Sequence, residues 1–400
     1  MRDARRVGQF VLACLLPLLA TLWVLSGGSL RQWNPHTVDL HVYRQAAIAL
    51  LEGRDFYHLR DSFPFIYPPI AAVLAIPLTW LPWRTVQVLW TVLNVGILVA
   101  VLRHLGLRRL WHLSFAATAA VLFVRPVSET LLFGQLGMPL LGLVLFDAVN
   151  GPRLFPGRKR LLPPGVLTGI ATGLKLTPAV FIIHYFLTRR YRQGCWALGA
   201  FVATVVVGLV AAPAHSPGYW LRLATGDSGA NPDAYGWISN LSVLSAVQRF
   251  TGVTPLGTVV GLGLSALLVV GGLTAARTSR RAGRDLLGVS ILGMVSCVAN
   301  PIAWVHHLTW VVPLLVAGLR DRLPEVLRWI VLIAVLWCVT NPQFGLGGAP
   351  GAQAEIHDYT VANKLIAAGP AIVVALMVVV GLMTLRRRGQ RSETEGEVRA

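Results

Sequence analysis

An acidic residue at the start of an amphipathic helix is the first candidate for chemistry in this sequence. The stretch TVDLHVYRQAAIALLEG (37–53) places Asp39 at the beginning of a predicted helix, with Tyr43 four residues further on the same face. The N-terminus of a helix favours the ionised form of a carboxylate. Such an aspartate can be a helix N-cap, which contributes about 1 kcal/mol. It can also act as a general base that takes a proton from a hydroxyl group. The spacing leaves both roles open.

Basic side chains at two other places could bind an anion or a sugar. Lys175 is one of only three lysines and lies between two short apolar runs. A lysine at membrane depth is costly unless it is paired or hydrated, so a functional site is the default hypothesis; the alternative is snorkelling to the interface. His306 and His307 begin a predicted helix, where they would point about 100° apart. Either could contact a phosphate or a sugar hydroxyl, and the sequence does not choose between them.

The composition predicts a membrane protein, because 55% of the 400 residues are apolar and only 13% are charged. Apolar runs of spanning length recur, for example at 254–275 and 365–385. The net charge of +18 could indicate a nucleic-acid partner, but the basic residues form short clusters between apolar runs, without interleaved aromatics. Nucleic-acid binding is therefore not expected. The four cysteines stand singly and have no CxxC spacing, so neither a disulfide framework nor a metal site is predicted.

The basic clusters predict the topology, because Lys and Arg are retained on the cytoplasmic side. They lie at 2–6, 103–109, 153–160, 189–192, 277–284, 320–328 and 386–391. Placing every cluster inside predicts an all-α polytopic bundle of about twelve transmembrane helices with both termini in the cytoplasm. The first apolar run is interpreted as a retained span, since it is long and has no evident cleavage site. The predicted spans are 9–26, 86–102, 111–125, 131–148, 163–174, 176–188, 195–212, 254–275, 285–299, 303–318, 325–340 and 362–385.

Two segments depart from regular spans. The pair 163–174 and 176–188 is too short for two full crossings, so we expect two broken helices that meet at Lys175 and line a buried or watery cavity. The run 67–82 is short and bounded by prolines, which predicts a re-entrant or interfacial piece on the outer face. The chain is thus predicted to be a single membrane domain (1–400). A first outer loop at 27–85 would contain interfacial helices, and a tail of mixed charge follows at 386–400.

With this topology, the polar residues that are hardest to explain structurally reach the outer face, where we expect the function. The inner loops are short and basic, which suits lipid headgroups. Gln135 in FGQLG could bind sugar hydroxyls or make a helix–helix hydrogen bond. Arg125 and Glu129 could bind substrate or pair with each other. Tryptophans here are more typical of an interfacial belt than of a sugar platform. The other candidate substrate-binding residues on this face are His41, Tyr43, Arg44, Tyr67, Asn240, Trp304, His357 and Lys364.

Several segments in combination resemble glycosyltransferase family 87, in the family's order and over most of the chain. They are VDLHVYRQAAIALLEGRDFYH (38–58), FIYPP (65–69), FGQLGMPLLGLVLFD (133–147), GIATGLKLTPAVF (169–181) and NPIAWVHHLTWVVP (300–313). The resemblance implies a membrane enzyme of the GT-C fold in a bacterial plasma membrane, with its active site facing the exterior. It also implies inverting α-mannosyl transfer from a polyprenyl-phosphate-mannose donor. The acceptor would be a glycolipid, a phosphatidylinositol mannoside, with an α-1,2 linkage formed.

The resemblance also implies roles for individual residues. Asp39 would be the general base, because a phosphate is already a good leaving group and the acceptor hydroxyl mainly needs a proton acceptor. His306 and His307 are further catalytic candidates, and Lys175 would face the leaving phosphate. The first loop has DLH where many metal-using glycosyltransferases have paired acids, so a metal-independent enzyme is predicted. No cofactor is expected, since nucleotide-binding motifs are missing from the sequence. Membrane lipids are the remaining partners, and the oligomeric state is not predicted.

Two alternatives stay open at this point. Twelve spans with a broken-helix pair are also typical of a transporter or a flippase of a lipid-linked sugar. Against that class, the two halves show no symmetry and the polar residues collect on one face. The other alternative keeps the enzyme class but changes the reaction, to mannosyl or arabinosyl transfer onto lipomannan or lipoarabinomannan.

Overall fold

The computed structural model describes residues 2–26, 36–59, 63–152, 160–227, 229, 232–342 and 359–397. Every regular element in this part of the chain is a helix, as the composition predicts. The chain divides into two compact units, Met1–Tyr185 with Arg190–Ala230 and Phe186–Arg189 with Asn231–Ala400. His357, a predicted site residue, lies outside the described residues.

The first unit contains the first eleven helices of the described chain, apart from Phe186 and Leu187 at the end of the ninth. They are α1 (Arg2–Leu25), α2 (Val38–Leu51), α3 (Pro69–Leu74), α4 (Trp83–His104), α5 (Leu110–Phe123), α6 (Arg125–Phe133), α7 (Gly137–Ala148), α8 (Val166–Leu174), α9 (Ala179–Leu187), α10 (Tyr191–Ala211) and α11 (Ser216–Ala224), with a 3₁₀ turn at Ile76–Thr79. The second unit contains α12 (Val243–Thr251), α13 (Pro255–Arg281), α14 (Asp285–Val298), α15 (Val311–Arg320), α16 (Glu325–Thr340) and α17 (Val361–Glu397), with 3₁₀ turns at Pro232–Tyr235 and Val305–Trp310.

Five helices of the described chain are long and apolar enough to cross a membrane by themselves. They are α1, α4, α10, α13 and the apolar part of α17, Val361–Leu385. Each coincides with a predicted span. The pair α5–α6 would add a sixth, although it is bent by 78°. The total of about twelve crossings stays a prediction.

The fourth predicted span, 131–148, begins too early. Residues Arg125–Phe133 form a helix of their own, α6. It has Pro126 in its first turn, and Gly134 is its C-cap. Gly134 adopts a left-handed conformation (φ 70°), which stops the helix, so the next helix, α7, begins at Gly137. Gln135 therefore lies in a short break between two helices and not at a helix start. A break of this kind exposes backbone groups that a continuous helix would use.

The predicted broken-helix pair is confirmed, with α8 ending at Leu174 and α9 beginning at Ala179. The helix α8 packs closely on α10 through glycines. A Cβ atom on Gly169 or Gly173 would overlap Ala197 or Thr204 of α10, respectively. This contact holds the end of α8, and thus Lys175, at a set distance from α10.

The stretch 213–253, between two predicted spans, contains two helices, α11 and α12. The predicted span 303–318 begins as a 3₁₀ turn, Val305–Trp310, before α15. Trp310 lies against Gly293 of α14, where any side chain would overlap the indole ring. The short run 67–82 folds as α3 and a 3₁₀ turn, in keeping with an irregular segment.

Candidate active site

The N-terminus of α2, which carries Asp39, is held by the neighbouring helices. Thr37 precedes the helix with φ 37°, and its backbone N–H donates to Leu132 O at 2.8 Å. Gln87 of α4 donates from Nε2 to the buried hydroxyl of Thr37 at 2.6 Å. Thr37, and not Asp39, is the N-cap residue. The capping interpretation of Asp39 is therefore wrong, and its carboxylate is available for another role.

The turn between α6 and α7 lies against this end of α2. A Cβ atom at Gly134 would come within 2.6 Å of Leu40 Cβ, so only glycine allows the approach. The approach brings the next residue, Gln135, to Asp39, and the Gln135 side chain makes a hydrogen bond to the carboxylate. Gln135 is 4% exposed, so its amide is shielded from water. The amide therefore serves Asp39 inside the protein, and this contact gives Gln135 a role that the sequence analysis had not assigned.

A directed chain of hydrogen bonds orients the Gln135 amide. The backbone N–H of Leu136 donates to the Tyr43 hydroxyl, which donates to the Tyr67 hydroxyl at 3.0 Å. Tyr67 lies 3.5 Å from Gln135 Oε1, to which its hydroxyl can donate, and Tyr43 lies 3.1 Å from the same oxygen. Because Oε1 accepts from the Tyr67 hydroxyl, the NH₂ end of the amide faces Asp39. The i, i+4 spacing of Asp39 and Tyr43 thus brings both to Gln135, as the helix periodicity predicts.

Lys175 lies at the same site. Its side chain follows the last residue of α8, and Nζ lies 5.5 Å from the centre of the Tyr67 ring, in the range of a cation–π contact. The charge of Lys175 also acts on the Asp39 carboxylate. The break between α8 and α9 therefore places Lys175 close enough to Asp39 for its charge to act on the carboxylate.

The electrostatic environment makes Asp39 a stronger base than an ordinary aspartate. Burial raises the pKa of Asp39 to about 6, although the Gln135 hydrogen bond and the charge of Lys175 lower it in part. The side chain remains partly accessible to solvent. A carboxylate with a pKa of about 6 is mostly ionised at pH 7 and accepts a proton more readily than one near 4. That is the property that a general base needs.

His41 and Arg44, also predicted to bind substrate, lie on a different side of α2. The ring of His41 is 5.4 Å from Trp83, in an edge-on contact. Arg44 donates from Nε to Leu78 O at 3.0 Å, and its guanidinium carbon lies 5.9 Å from the centre of a Trp83 ring. These contacts attach α2 to the 3₁₀ turn and to the start of α4. They do not bring either residue to Asp39.

Arg125 and Glu129 pair with each other one turn apart on α6, as the simpler interpretation holds. Arg125 Nε lies 3.9 Å from Glu129 Oε1. The arginine side chain is 40% exposed and the glutamate 9%. The Glu129 side chain is thus inside the protein, and the half-exposed guanidinium of Arg125 lies beside it.

In the second unit, the two histidines differ in their surroundings. His306 is buried, whereas His307 is partly exposed. The backbone N–H of Trp304 donates to His307 Nδ1 at 3.2 Å, which leaves Nε2 of the neutral ring to carry the proton. The two rings are perpendicular, with centres 4.6 Å apart. Of the two histidines, His307 is therefore the more accessible to solvent.

The other predicted residues of this unit make internal contacts. Asn240 is fully buried; its Nδ2 donates to Ala234 O and Pro301 O, and its Oδ1 accepts from the backbone of Ser242 and Ala303. Every hydrogen-bonding atom of the amide is used, which indicates that Asn240 holds its loop rather than a sugar. The rings of Trp304 and Trp237 lie 5.9 Å apart. Lys364 Nζ lies 6.0 Å from the centre of the Phe250 ring.

Comparison with known proteins decides the family. The model of glycosyltransferase family 87 matches residues 65–301, which is more than half of the chain. The chain belongs to glycosyltransferase family 87. It is also 32% identical, over 78% of each chain, to a polyprenol-phosphate-mannose-dependent alpha-(1-2)-phosphatidylinositol mannoside mannosyltransferase of Mycobacterium tuberculosis. A polyprenol-phosphate-mannose-dependent alpha-(1-2)-phosphatidylinositol pentamannoside mannosyltransferase of Mycolicibacterium smegmatis is 27% identical over 97% of this chain and 93% of its own. No solved structure gives a significant match.

The family membership makes this chain a glycosyltransferase.

Some residues that support the site could not be found from the sequence. Thr37 and Gln87 fix the start of α2, but they are 50 positions apart and nothing local links them. Gly134 could have been noticed, because a glycine directly before a functional candidate often marks a close approach. In the described residues, no group of three or more His, Cys, Asp or Glu side chains is arranged to hold a metal ion.

Proposed function

We propose that this glycosyltransferase transfers mannose from polyprenyl-phosphate mannose to a mannosylated phosphatidylinositol, with Asp39 as the general base. The donor, the acceptor class and the α-1,2 linkage are those in the names of the relatives. The observation that carries the proposal is the Asp39 carboxylate, partly accessible, oriented by Gln135 and close to the charge of Lys175.

The reaction is a single displacement. The acceptor hydroxyl oxygen attacks the anomeric carbon of mannose, and the bond from that carbon to the phosphate oxygen breaks. The phosphate leaves with the electron pair, the hydroxyl proton passes to Asp39, and the configuration at the sugar inverts. A positioned base of this kind contributes about 10²–10⁴-fold.

Lys175 stabilises the charge that develops on the leaving phosphate. A fixed cation near a departing oxyanion acts without reorganisation and in a site partly shielded from water. The contact with the Tyr67 ring holds the long lysine side chain in one region. We propose His307, the more accessible of the two histidines, as a further hydrogen-bond donor to the substrates.

The proposed setting is the plasma membrane, with the site on the outer face and both termini in the cytoplasm. The basic clusters between the apolar runs support this orientation. Under this topology, the donor and the acceptor both enter from the outer leaflet, and no nucleotide takes part.

Asp39→Asn tests the proposal, because it keeps the shape and the hydrogen bond to Gln135 while removing the base. We expect mannosyl transfer in membranes supplied with polyprenyl-phosphate mannose to fall by at least a hundredfold. Asp227→Asn, an exposed aspartate in the same unit, is the matched control and should keep full activity. Full transfer by the Asp39 variant would refute the assignment. Movement of labelled lipid without a glycosidic product would instead indicate a flippase.

A further inference from the structure

The arginine of α11 stands out from the charged residues near the site. The guanidinium carbon of Arg222 lies 4.9 Å from the centre of the Tyr57 ring. The Tyr57 ring in turn stacks on Tyr219, with centres 5.6 Å apart and planes at 14°. Both tyrosines are buried, whereas Arg222 is only half-buried. The guanidinium is thus held against a rigid aromatic base, with part of its surface open.

The N–H groups of this guanidinium are free to bind a ligand. Within the described residues, the Arg222 guanidinium lies over the Tyr57 ring, and its N–H groups make no hydrogen bond or ion pair. An arginine has five N–H donors in a planar fork that matches two oxygens of a phosphate. An arginine fixed on an aromatic ring, with its donors unused, is therefore suited to bind a phosphate group in a bidentate manner.

The position of Arg222 matches the depth of lipid headgroups. The candidate span α10 ends at Ala211, and α11 begins at Ser216, only a few residues beyond it. Leu221, next to Arg222 in the chain, is 67% exposed. A cation at the end of a span, beside an exposed apolar side chain, is typical of a site for a phospholipid at the interface.

The Tyr57 ring that holds Arg222 is linked to the surroundings of Asp39 through Tyr67. The hydroxyl of Tyr57 donates to the backbone oxygen of Tyr67 at 3.2 Å. The hydroxyl of Tyr67 belongs to the hydrogen-bond chain that orients Gln135 at Asp39. All these residues lie in the same compact unit. A lipid held by Arg222 would therefore lie beside Tyr57, which is linked through Tyr67 to the residues around the base.

We infer that Arg222 binds the phosphodiester of the acceptor lipid and so selects acceptors that carry this group. The inference rests on the proposed function, because it names the residue that holds the acceptor of that reaction. Tyr57 is then a positioning residue, which fixes the guanidinium plane. The same chemistry could be met by the phosphate of the donor or by any anionic phospholipid, and the test must separate these sources.

The test compares two acceptors with the full-length protein in mixed micelles. One acceptor is a phosphatidylinositol mannoside, and the other is an alkyl mannoside with the same terminal sugar but no phosphate. For Arg222→Gln, we expect the KM for the phospholipid acceptor to rise about tenfold to thirtyfold, because two charge-assisted hydrogen bonds are lost. The KM for the alkyl mannoside, the KM for the donor and kcat should stay within about twofold.

Further variants guard against a simple folding defect. Arg222→Lys keeps the charge but loses the fork, so we expect an intermediate rise in KM for the phospholipid acceptor. Tyr57→Leu should give a smaller rise than Arg222→Gln, since the guanidinium remains but is no longer fixed. Arg108→Gln, at an exposed arginine in the same unit, is the matched control and should change neither KM.

Several outcomes would overturn the inference. An equal rise in KM for both acceptors would indicate a structural role, and a rise in the KM for the donor would assign Arg222 to the donor phosphate. A KM that depends only on the phosphatidylglycerol content of the micelles would indicate a general anionic-lipid contact. If the wild type transfers mannose to neither acceptor, the proposed function fails. Direct binding of radiolabelled phosphatidylinositol mannoside by wild type and Arg222→Gln then decides the inference separately.

Discussion

The pH dependence of the reaction gives the sharpest test of the assignment of Asp39. Burial raises the pKa of this carboxyl to about 6, and the Gln135 hydrogen bond lowers it. Gln135→Leu keeps the volume of the side chain and removes the donor, so the pKa of Asp39 must rise further. A hydrogen bond to a charged group contributes about 1.5 kcal/mol or more, which corresponds to a rise of about one pKa unit.

The consequence is a shift in the acid limb of the rate profile. The base works only when it is ionised, so the wild-type rate should fall as the pH drops through about 6. In Gln135→Leu the midpoint should move to about 7. When each rate is normalised to its own high-pH plateau, Gln135→Leu should then be about twofold slower than the wild type at pH 7 and about fivefold slower at pH 6. The assay is kcat/KM for the acceptor, measured between pH 5 and 9 at constant ionic strength.

A matched control exists on the other side of α2. Gln45 has its Nε2 3.3 Å from a ring nitrogen of His41 and not at Asp39, so Gln45→Leu should leave the acid limb in place. The reasoning is refuted if Gln135→Leu lowers the rate equally at every pH with an unchanged midpoint. That result would mean that Gln135 binds a sugar and does not tune the base.

Three other predictions concern the supports of the site and its need for metal. Gly134→Ala should destabilise the protein by about 2 kcal/mol or more and reduce transfer, since it adds an overlap with Leu40 to backbone strain. Gly53→Ala, with a similar φ of 66° but open space, should cost only about 1 kcal/mol in thermal unfolding. Arg249→Met should lower the free energy of unfolding by about 3 kcal/mol, because the buried guanidinium donates to two backbone oxygens and a hydroxyl. Arg281→Met, at an exposed arginine, should leave the free energy of unfolding unchanged. Activity should survive extensive dialysis against a chelator; loss of transfer with recovery on adding Mg²⁺ or Mn²⁺ would refute metal independence.

The parts of the site that depend on short-range periodicity could be predicted from the sequence. Asp39 and Tyr43 share a face because the helix repeat is local, and the break at Lys175 follows from the short apolar runs around it. Contacts that join distant segments could not. The approach of Gly134 to Leu40 and the hydrogen bond from Gln87 to Thr37 depend on tertiary packing, which no spacing rule encodes.

The same limit explains the residues whose expected roles the structure changes. Asn240 is a polar residue near a predicted interface, and from the sequence it is a candidate for ligand contact. In the fold, Arg249 donates to the backbone oxygens of Trp237 and Asn240, and Asn240 in turn holds the NPIAW segment. Buried polar groups must find hydrogen-bond partners, and here the irregular backbone of a loop supplies them.

The strength of Asp39 as a base depends on two opposing effects. Burial raises its pKa, whereas Gln135 and the charge of Lys175 lower it. Lys175 is also the cation proposed to face the leaving phosphate. An anionic donor bound beside Lys175 would offset that charge at Asp39, so the pKa of the base should rise when the donor is in place. The acid limb of kcat at saturating donor should therefore lie above that of kcat/KM for the donor. If the two limbs coincide, the lysine and the phosphate do not meet.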